Sequence, residues 1–211
     1  MKRQTKTKKS DAKRRKILET AYLLFRARGF DKTSVSEITS LVGGSKATVY
    51  SHFPSKEELF VESMLAAAES YIEGAQAQLD ESRGDLDAVL HDFGKSFLEF
   101  LCSPDMIAVR RLMIAEAARS GLGKLFYAKI TSMRAQVAAF LSHHMESGRL
   151  RRDDPELAAH HLRGLLEAEM VEPLLLRVRK GALDKKEVAL VAERAINAFL
   201  RAYAPEGKLS R

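Results

Sequence analysis

Two adjacent glycines, Gly43 and Gly44, interrupt the stretch Thr33 to Phe53, TSVSEITSLVGGSKATVYSHF, and this interruption constrains the chain more than any other feature. Before them, Ser34 stands where a helix N-cap is wanted and Glu37 follows three residues on, the spacing of a capping box. Val35, Ile38 and Val42 then recur at helical period. A glycine can take the left-handed conformation that ends such a helix. Ser45 caps a second short helix, in which Val49 faces back toward the first. Lys46, Ala47, Thr48, Tyr50, Ser51 and His52 are left for other work. One buried stripe that fixes two helices at an angle, with a second helix carrying small and polar side chains, is what entering a DNA major groove requires.

The resemblance to a known family lies in these same residues. Gly29-Phe30, Thr33-Ser34-Val35, Glu37-Ile38, Gly43, Ser45-Lys46, Thr48-Val49-Tyr50 and the run His52 to Leu59 resemble the N-terminal domain of TetR-family (tetracycline-repressor-like) transcriptional regulators over about residues 11 to 60. The chain departs from that pattern at Thr39, where the family usually has alanine, and at Gly44, where it usually has an aliphatic residue. The resemblance implies phosphate contacts from Tyr50, His52 and Lys56, and base contacts from Lys46, Ala47 and Thr48. Ser34, Ser45 and Ser51 join them as DNA-binding candidates. By chemistry alone, Lys46 can donate to guanine, and the methyls of Ala47 or Thr48 can meet thymine.

Charge is distributed to match. Residues 1 to 53 hold thirteen Lys/Arg against four Asp/Glu, a balance of +9 in a chain whose net charge is +7, so the remainder carries −2. A basic head on a mildly acidic body predicts a phosphate-binding face rather than a generally basic surface. Apolar residues make up 45% of the 211, enough for a sizeable core. The near absence of alternating β-branched runs predicts an all-α chain. The expected architecture is a three-helix helix-turn-helix domain followed by an antiparallel helical bundle, about nine helices in all. No apolar run reaches the ~18 residues of a membrane span, and no signal peptide opens the chain. A lone cysteine, Cys102, fits a reducing compartment, so the expected location is cytoplasmic. Cys102 reads as a buried structural thiol, with a redox sensor as the alternative.

In order along the chain, residues 1–10 predict a flexible basic arm that either follows DNA or is a solvated tail. Residues 11–55 form the DNA-binding domain. Its first helix runs from about Asp11 to Arg28, with the stripe Ile17, Leu18, Ala21, Leu24 and Phe25. The run Lys13 to Lys16 opposes the helix dipole and calls for an anionic partner or a solvated face. Residues 56–205 form the bundle, with helices expected at 56–81, 85–102, 105–119, 122–147, 154–180 and 184–203, the long 154–180 helix kinked at Pro173. Residues 206–211 read as a flexible tail. The segment from Ile107 to Pro205 resembles, more loosely, the C-terminal domain of one TetR subgroup, through Arg111-Leu112, Ala115-Glu116-Ala117, Phe126-Tyr127, Gly148-Arg149-Leu150 and Asp154 to Ala159.

Two expectations concern that bundle. Leu157, His161 and Leu165 on one helix, with Val188, Val191, Ala195, Phe199 and Tyr203 on the next, are the expected homodimer face; two such helices from each copy make a four-helix bundle. The resemblance also implies a pocket for a small, largely apolar effector. Its candidates are Phe97, Met113 and Phe126 with the polar groups His91, Arg110, Glu116, His161 and Glu167. The acids Glu167, Glu169 and Glu172 read either as partners of Arg110 or Arg111 or as a preference for a cationic ligand. The histidine pairs lack chelating spacing, so no metal and no cofactor is expected. No nucleophile–base set or phosphate loop asks for an enzyme, and no catalytic residue is assigned. The expected function is a repressor that binds a pseudo-palindromic operator on double-stranded DNA as a dimer and is released by its effector. The alternative is a ligand-independent DNA-binding dimer whose bundle only dimerises or docks a protein.

Overall fold

The computed structural model of the protein describes residues 2–66, 79, 85–118, 121–179 and 184–205. Among them are ten helices and no strand: α1 (Lys2–Arg28), α2 (Val35–Val42), α3 (Lys46–Tyr50), α4 (Lys56–Ala66), α5 (Leu86–Leu101), α6 (Pro104–Glu116), α7 (Leu122–Glu146), α8 (Pro155–Glu167), α9 (Val171–Leu175) and α10 (Lys185–Ala202). The chain forms two compact units. One is Met1–Glu69 with Ala108–Tyr127; the other is Ser70–Ile107 with Ala128–Arg211. The domain boundary expected after residue 55 therefore falls inside the first unit, because α4 packs on α1.

Three rings explain that packing. Phe25, Phe30 and Phe60 are all buried. Phe60 meets Phe25 edge-on at 5.0 Å and Phe30 at 5.3 Å, arrangements that set the positive rim of one ring against the negative face of another. Ile17, Leu18 and Ala21 complete the α1 stripe, as its spacing predicts. Thr33, fully buried, donates its hydroxyl to the Gly29 carbonyl at 2.9 Å and so closes the end of α1.

Two expectations about helix limits are corrected. The flexible arm expected over residues 1–10 is helical from Lys2 and continuous with α1. No Gly or Pro interrupts residues 2 to 28, and Lys, Arg and Gln lose little rotamer freedom in a helix, so α1 propagates backward. The helix expected over 154–180 is two helices, broken at residues 168–170 rather than kinked at Pro173. Pro173 is the third residue of α9. Its ring clashes with the carbonyl four residues earlier, which moves the break one turn upstream. Only the first part of the helix expected over 56–81 lies among the described residues, as α4. The tail 206–211 lies outside them.

In the second unit α10 packs against α5 and α8. Asp85, Asp154 and Asp184 cap α5, α8 and α10 by accepting amide hydrogen bonds from the first turns. Gly94 lets α5 and α10 approach. A Cβ there would lie 2.7 Å from Cγ1 of Ile196, closer than van der Waals contact allows. Gly94→Ala should therefore cost about 1–3 kcal/mol of stability despite the better helix propensity of alanine. In a double-mutant cycle with Ile196→Ala, the two losses should sum to more than the double variant's loss; strict additivity would show that the approach is not tight.

This packing corrects the expected dimer face. Val188, Val191, Ala195, Phe199 and Tyr203 are all 5% exposed or less within the single chain. They are the subunit's own core and cannot meet a partner. Tyr203 is locked: its hydroxyl is 2.7 Å from His161 Nδ1, and the Arg151 guanidinium lies 4.8 Å above its ring. Burial first, then the charge of Asp153, holds that hydroxyl above the usual phenol range. The outward faces carry Leu157, 44% exposed, and His161 on α8, and Leu190, 54% exposed, on α10. Leu165 is half-buried.

Candidate nucleic-acid interface

The helix-turn-helix is built as its sequence pattern requires. Ser34 Oγ accepts from the Glu37 amide at 3.2 Å, and the Glu37 carboxylate accepts from the Ser34 amide at 3.0 Å. Glu37 also takes Arg28, the last residue of α1, at 2.6 Å. The Ser34 amide first, then its hydroxyl and the Arg28 charge, hold the Glu37 carboxyl below its ordinary 4.5. Val35, Ile38 and Val42 face inward, and Val49 of α3 meets them, 1% exposed. Thr39 is also buried. Its hydroxyl donates to the Ser36 carbonyl at 2.7 Å, so a threonine serves where alanine is usual.

A lowered carboxyl pKa carries a sign. A carboxyl whose folded value is lowered adds stability that is present above its ordinary value and is lost as the pH falls through the lower one. Acid unfolding of the first unit should thus begin below about pH 4.5. Ser34→Ala should remove part of this acid dependence and, through loss of the cap, cost about 1 kcal/mol at neutral pH. An acid limb identical in the variant would assign the dependence to other groups.

Gly43 and Gly44 make the turn with φ of 71° and 120°. Both values lie where an L side chain is strained and glycine is not. Ser45 then caps α3. Its hydroxyl accepts from the Thr48 amide at 3.2 Å, and Thr48 Oγ1 reaches back to the Ser45 amide and hydroxyl.

The nine DNA-binding candidates therefore divide by what their polar atoms already do. The hydroxyls of Ser34, Ser45 and Thr48 are engaged in caps, and Ser51 donates to the Thr48 carbonyl at 2.8 Å. The methyl of Thr48 remains for a base. Lys46, Ala47 and Tyr50 are exposed on α3, Tyr50 at 46%. His52 is half-buried and tilted against Phe53, ring centroids 6.2 Å apart. Lys56 opens α4, where Ser55 Oγ accepts from the Glu58 amide, and its ammonium lies 4.3 Å above the Phe30 ring. That cation–π contact poises the charge at the helix N-terminus without burying it.

The run of four cations, Lys13 to Lys16, also divides. Lys13 donates to the Val42 carbonyl at 2.9 Å and to the Gly43 carbonyl. Arg14 pairs with Glu62 of α4 and lies 5.1 Å above the Phe53 ring. Arg15 and Lys16 are exposed. Two of the four thus have partners inside the fold. Sequence reasoning missed these contacts, since they join residues about 30 and 48 positions apart.

The effector candidates are distributed over both units. Arg110, Met113, Glu116 and Phe126 lie in the first, with Met113 1% exposed and Arg110, Glu116 and Phe126 half-buried. His91, Phe97, His161 and Glu167 lie in the second. There, Phe97 stacks on Phe93 at 5.3 Å. His91 Nδ1 is 2.9 Å from the Asp87 carbonyl and 3.1 Å from its carboxylate. Glu167 accepts from Arg163 at 2.7 Å, and Glu169 from Arg194 Nε at 3.0 Å, a hydrogen bond that holds the Glu169 carboxyl below the usual carboxylate range. Arg163 and Arg194 are thus cationic partners of Glu167 and Glu169. Glu172 is exposed in the first turn of α9. Among the described residues no helix is long and apolar enough to cross a membrane, and no group of three His, Cys, Asp or Glu could hold a metal ion.

Comparison with known proteins gives the following likenesses. Residues 17–62 match the model of bacterial regulatory proteins of the tetR family, and residues 88–205 match that of the AefR-like transcriptional repressor C-terminal domain. A TetR-family transcriptional regulator from Mesorhizobium loti MAFF303099 is 32% identical, with a TM-score of 0.78 over 92% of this chain and 98% of that one. The flavonoid-responsive regulator FrrA is 29% identical, with a TM-score of 0.74 over 93% and 100%. The uncharacterized HTH-type transcriptional regulator YerO of Bacillus subtilis is 32% identical over 103 residues, 46% of this chain. That match spans only 34% of YerO's own length.

Proposed function

Because this chain belongs to the tetR family of bacterial transcriptional regulators, we propose that it is a repressor that binds a pseudo-palindromic operator as a homodimer and is released by a small apolar effector. Its being a DNA-binding transcriptional regulator rather than an enzyme follows from the family. The finer statement rests on one observation above all: α3 is held by caps and by Val49 with Lys46, Ala47 and Tyr50 exposed along it. An α-helix of five residues reads few bases. Two copies related by a twofold axis read half-sites ~34–36 Å apart, which is the physical reason to dimerise. The outward faces of α8 and α10, with Leu157, His161 and Leu190, are the surface we assign to that pairing. We place the protein in the cytoplasm, with the chromosome it would bind.

Support for an effector comes from the aromatic pair Phe93–Phe97 and from the similarity to a regulator that responds to flavonoids, which are themselves aromatic and flat. The chain passes from the second unit into the first within α6, between Ile107 and Ala108. A ligand that favours one setting of α6 would bias the DNA-binding unit directly.

Alanine scanning on DNA tests the reading. Lys46→Ala and Thr48→Ala should relax base preference by about 1–3 kcal/mol at one position each. Lys56→Ala should weaken all sequences alike and reduce the salt slope by about 0.9. Equal losses on operator and random DNA for all three would refute the division.

A further inference from the structure

The turn between α2 and α3 would be expected to be loose. Gly43 and Gly44 have no side chains to pack, and a Cβ at Gly43 would meet nothing within 4 Å. The last carbonyls of α2 also lack helical donor partners, as at any helix C-terminus, and carry the negative end of its dipole. Lys13 answers both problems. From the middle of α1, its ammonium donates to the carbonyls of Val42 and Gly43. The same ammonium lies 3.7 Å from where a Gly44 Cβ would be, and Thr48 Oγ1 lies 3.5 Å from that point. The cation, the glycine turn and the cap of α3 are thus in one place. The next residue, Arg14, ties α1 to α4 through Glu62 and to Phe53, just beyond α3.

We propose that Lys13 is a positioning residue for DNA recognition, a cationic clamp that fixes the two-glycine turn and thereby the angle at which α3 meets the groove. It acts through backbone carbonyls and not through a phosphate. A cation with two carbonyl acceptors satisfies groups that would otherwise wait for water, and the bond is charge-assisted. Lys13 supplies through the backbone a stiffness that two glycines cannot supply by packing. This inference rests on the reading of α3 as the recognition helix, and its test separates the two.

The full-length protein and the variants Lys13→Met, Lys13→Arg, Lys13→Gln and Lys16→Met are titrated against a selected operator duplex and a random duplex across a salt series. Lys13→Met should lose about tenfold on the operator and less than twofold on random DNA, with an unchanged salt slope. Lys13→Arg, which keeps the charge and the donors, should stay within about threefold of the parent. Lys16→Met, a change at an exposed cation, should leave the operator-to-random ratio unchanged. If Lys13→Met fails to show a cooperative melt, Lys13→Gln decides by the same ratio, which should fall by about threefold. An unchanged ratio in the deciding variant overturns the clamp. So does a uniform loss with a slope smaller by about 0.9, which would make Lys13 a phosphate contact. If the parent itself shows no operator preference, it is the DNA-reading function that fails, not the clamp alone.

Discussion

Phe60→Ala should lower the stability of the first unit by about 3–5 kcal/mol. Phe60 is fully buried and touches two other buried rings, Phe25 from α1 and Phe30 from the turn after it. Removing the ring leaves a cavity and also forfeits two edge-to-face contacts, each about 0.5–1.5 kcal/mol beyond the area buried. With typical domain stabilities of about 5–15 kcal/mol, that loss is a large share of the total. Thermal unfolding followed by circular dichroism should show the drop. Operator binding should fail at temperatures where the parent still binds, because α1 and α4 no longer hold the helix-turn-helix between them. Phe60→Leu, which refills part of the space, should recover much of the loss. A melting curve unchanged in Phe60→Ala would mean the three rings do not form the centre of this unit.

The second large effect belongs to pairing. Leu190→Glu should convert the dimer to monomer and lower operator affinity at least about a hundredfold, since one half-site engaged no longer holds the other at high local concentration. Leu190 is more than half exposed in the single chain, and a glutamate there costs the free subunit little. In a closed apolar interface the same carboxylate meets its symmetry copy without a partner cation, and desolvating it costs several kcal/mol. Leu157→Glu should act in the same direction. Leu23→Glu, a change at another exposed leucine on α1, should leave the oligomeric state alone. Analytical ultracentrifugation at micromolar concentration reads all three. A Leu190→Glu protein that sediments as a dimer would place the pairing surface elsewhere.

What could be read from the chain was local, or nearly so. Ser34 with Glu37, Ser45 before Lys46, and the glycine pair each declare a helix end within four residues, and the structure realises each of them. Periodicity also placed Val35, Ile38, Val42 and Val49 inside. It failed where it had to choose between two apolar destinations. The stripe Val188, Val191, Ala195 and Phe199 predicts that α10 has an apolar face, but spacing cannot say whether that face meets its own subunit or a second copy. Leu190, apolar but off the stripe, has no place in the core, and it is the residue on which the proposed pairing rests.

Pairings across long separations were equally out of reach. Lys13 to Lys16 reads as four equivalent cations, and only packing assigns the first to a turn 30 residues away and the second to Glu62. The arginines that the structure sets against Glu167 and Glu169 were not singled out, for the same reason. Arg163 lies one turn before Glu167, a near neighbour, whereas Arg194 reaches Glu169 because α10 returns beside α8. The break before Pro173 was legible in kind and misplaced by one turn, since the ring of a proline acts on the carbonyl four residues earlier.

The central claim is that α3, presented twice by a pair of chains, reads duplex DNA. Repeated selection of bound fragments from a random double-stranded pool tests it most directly, with the full-length protein at moderate salt. The expected result is enrichment of an inverted repeat whose half-sites lie about one helical turn apart, with base preference relaxed at one position of each half-site when Lys46 is replaced by alanine. A pool that stays random after selection, from a protein that sediments as a monomer, would contradict it.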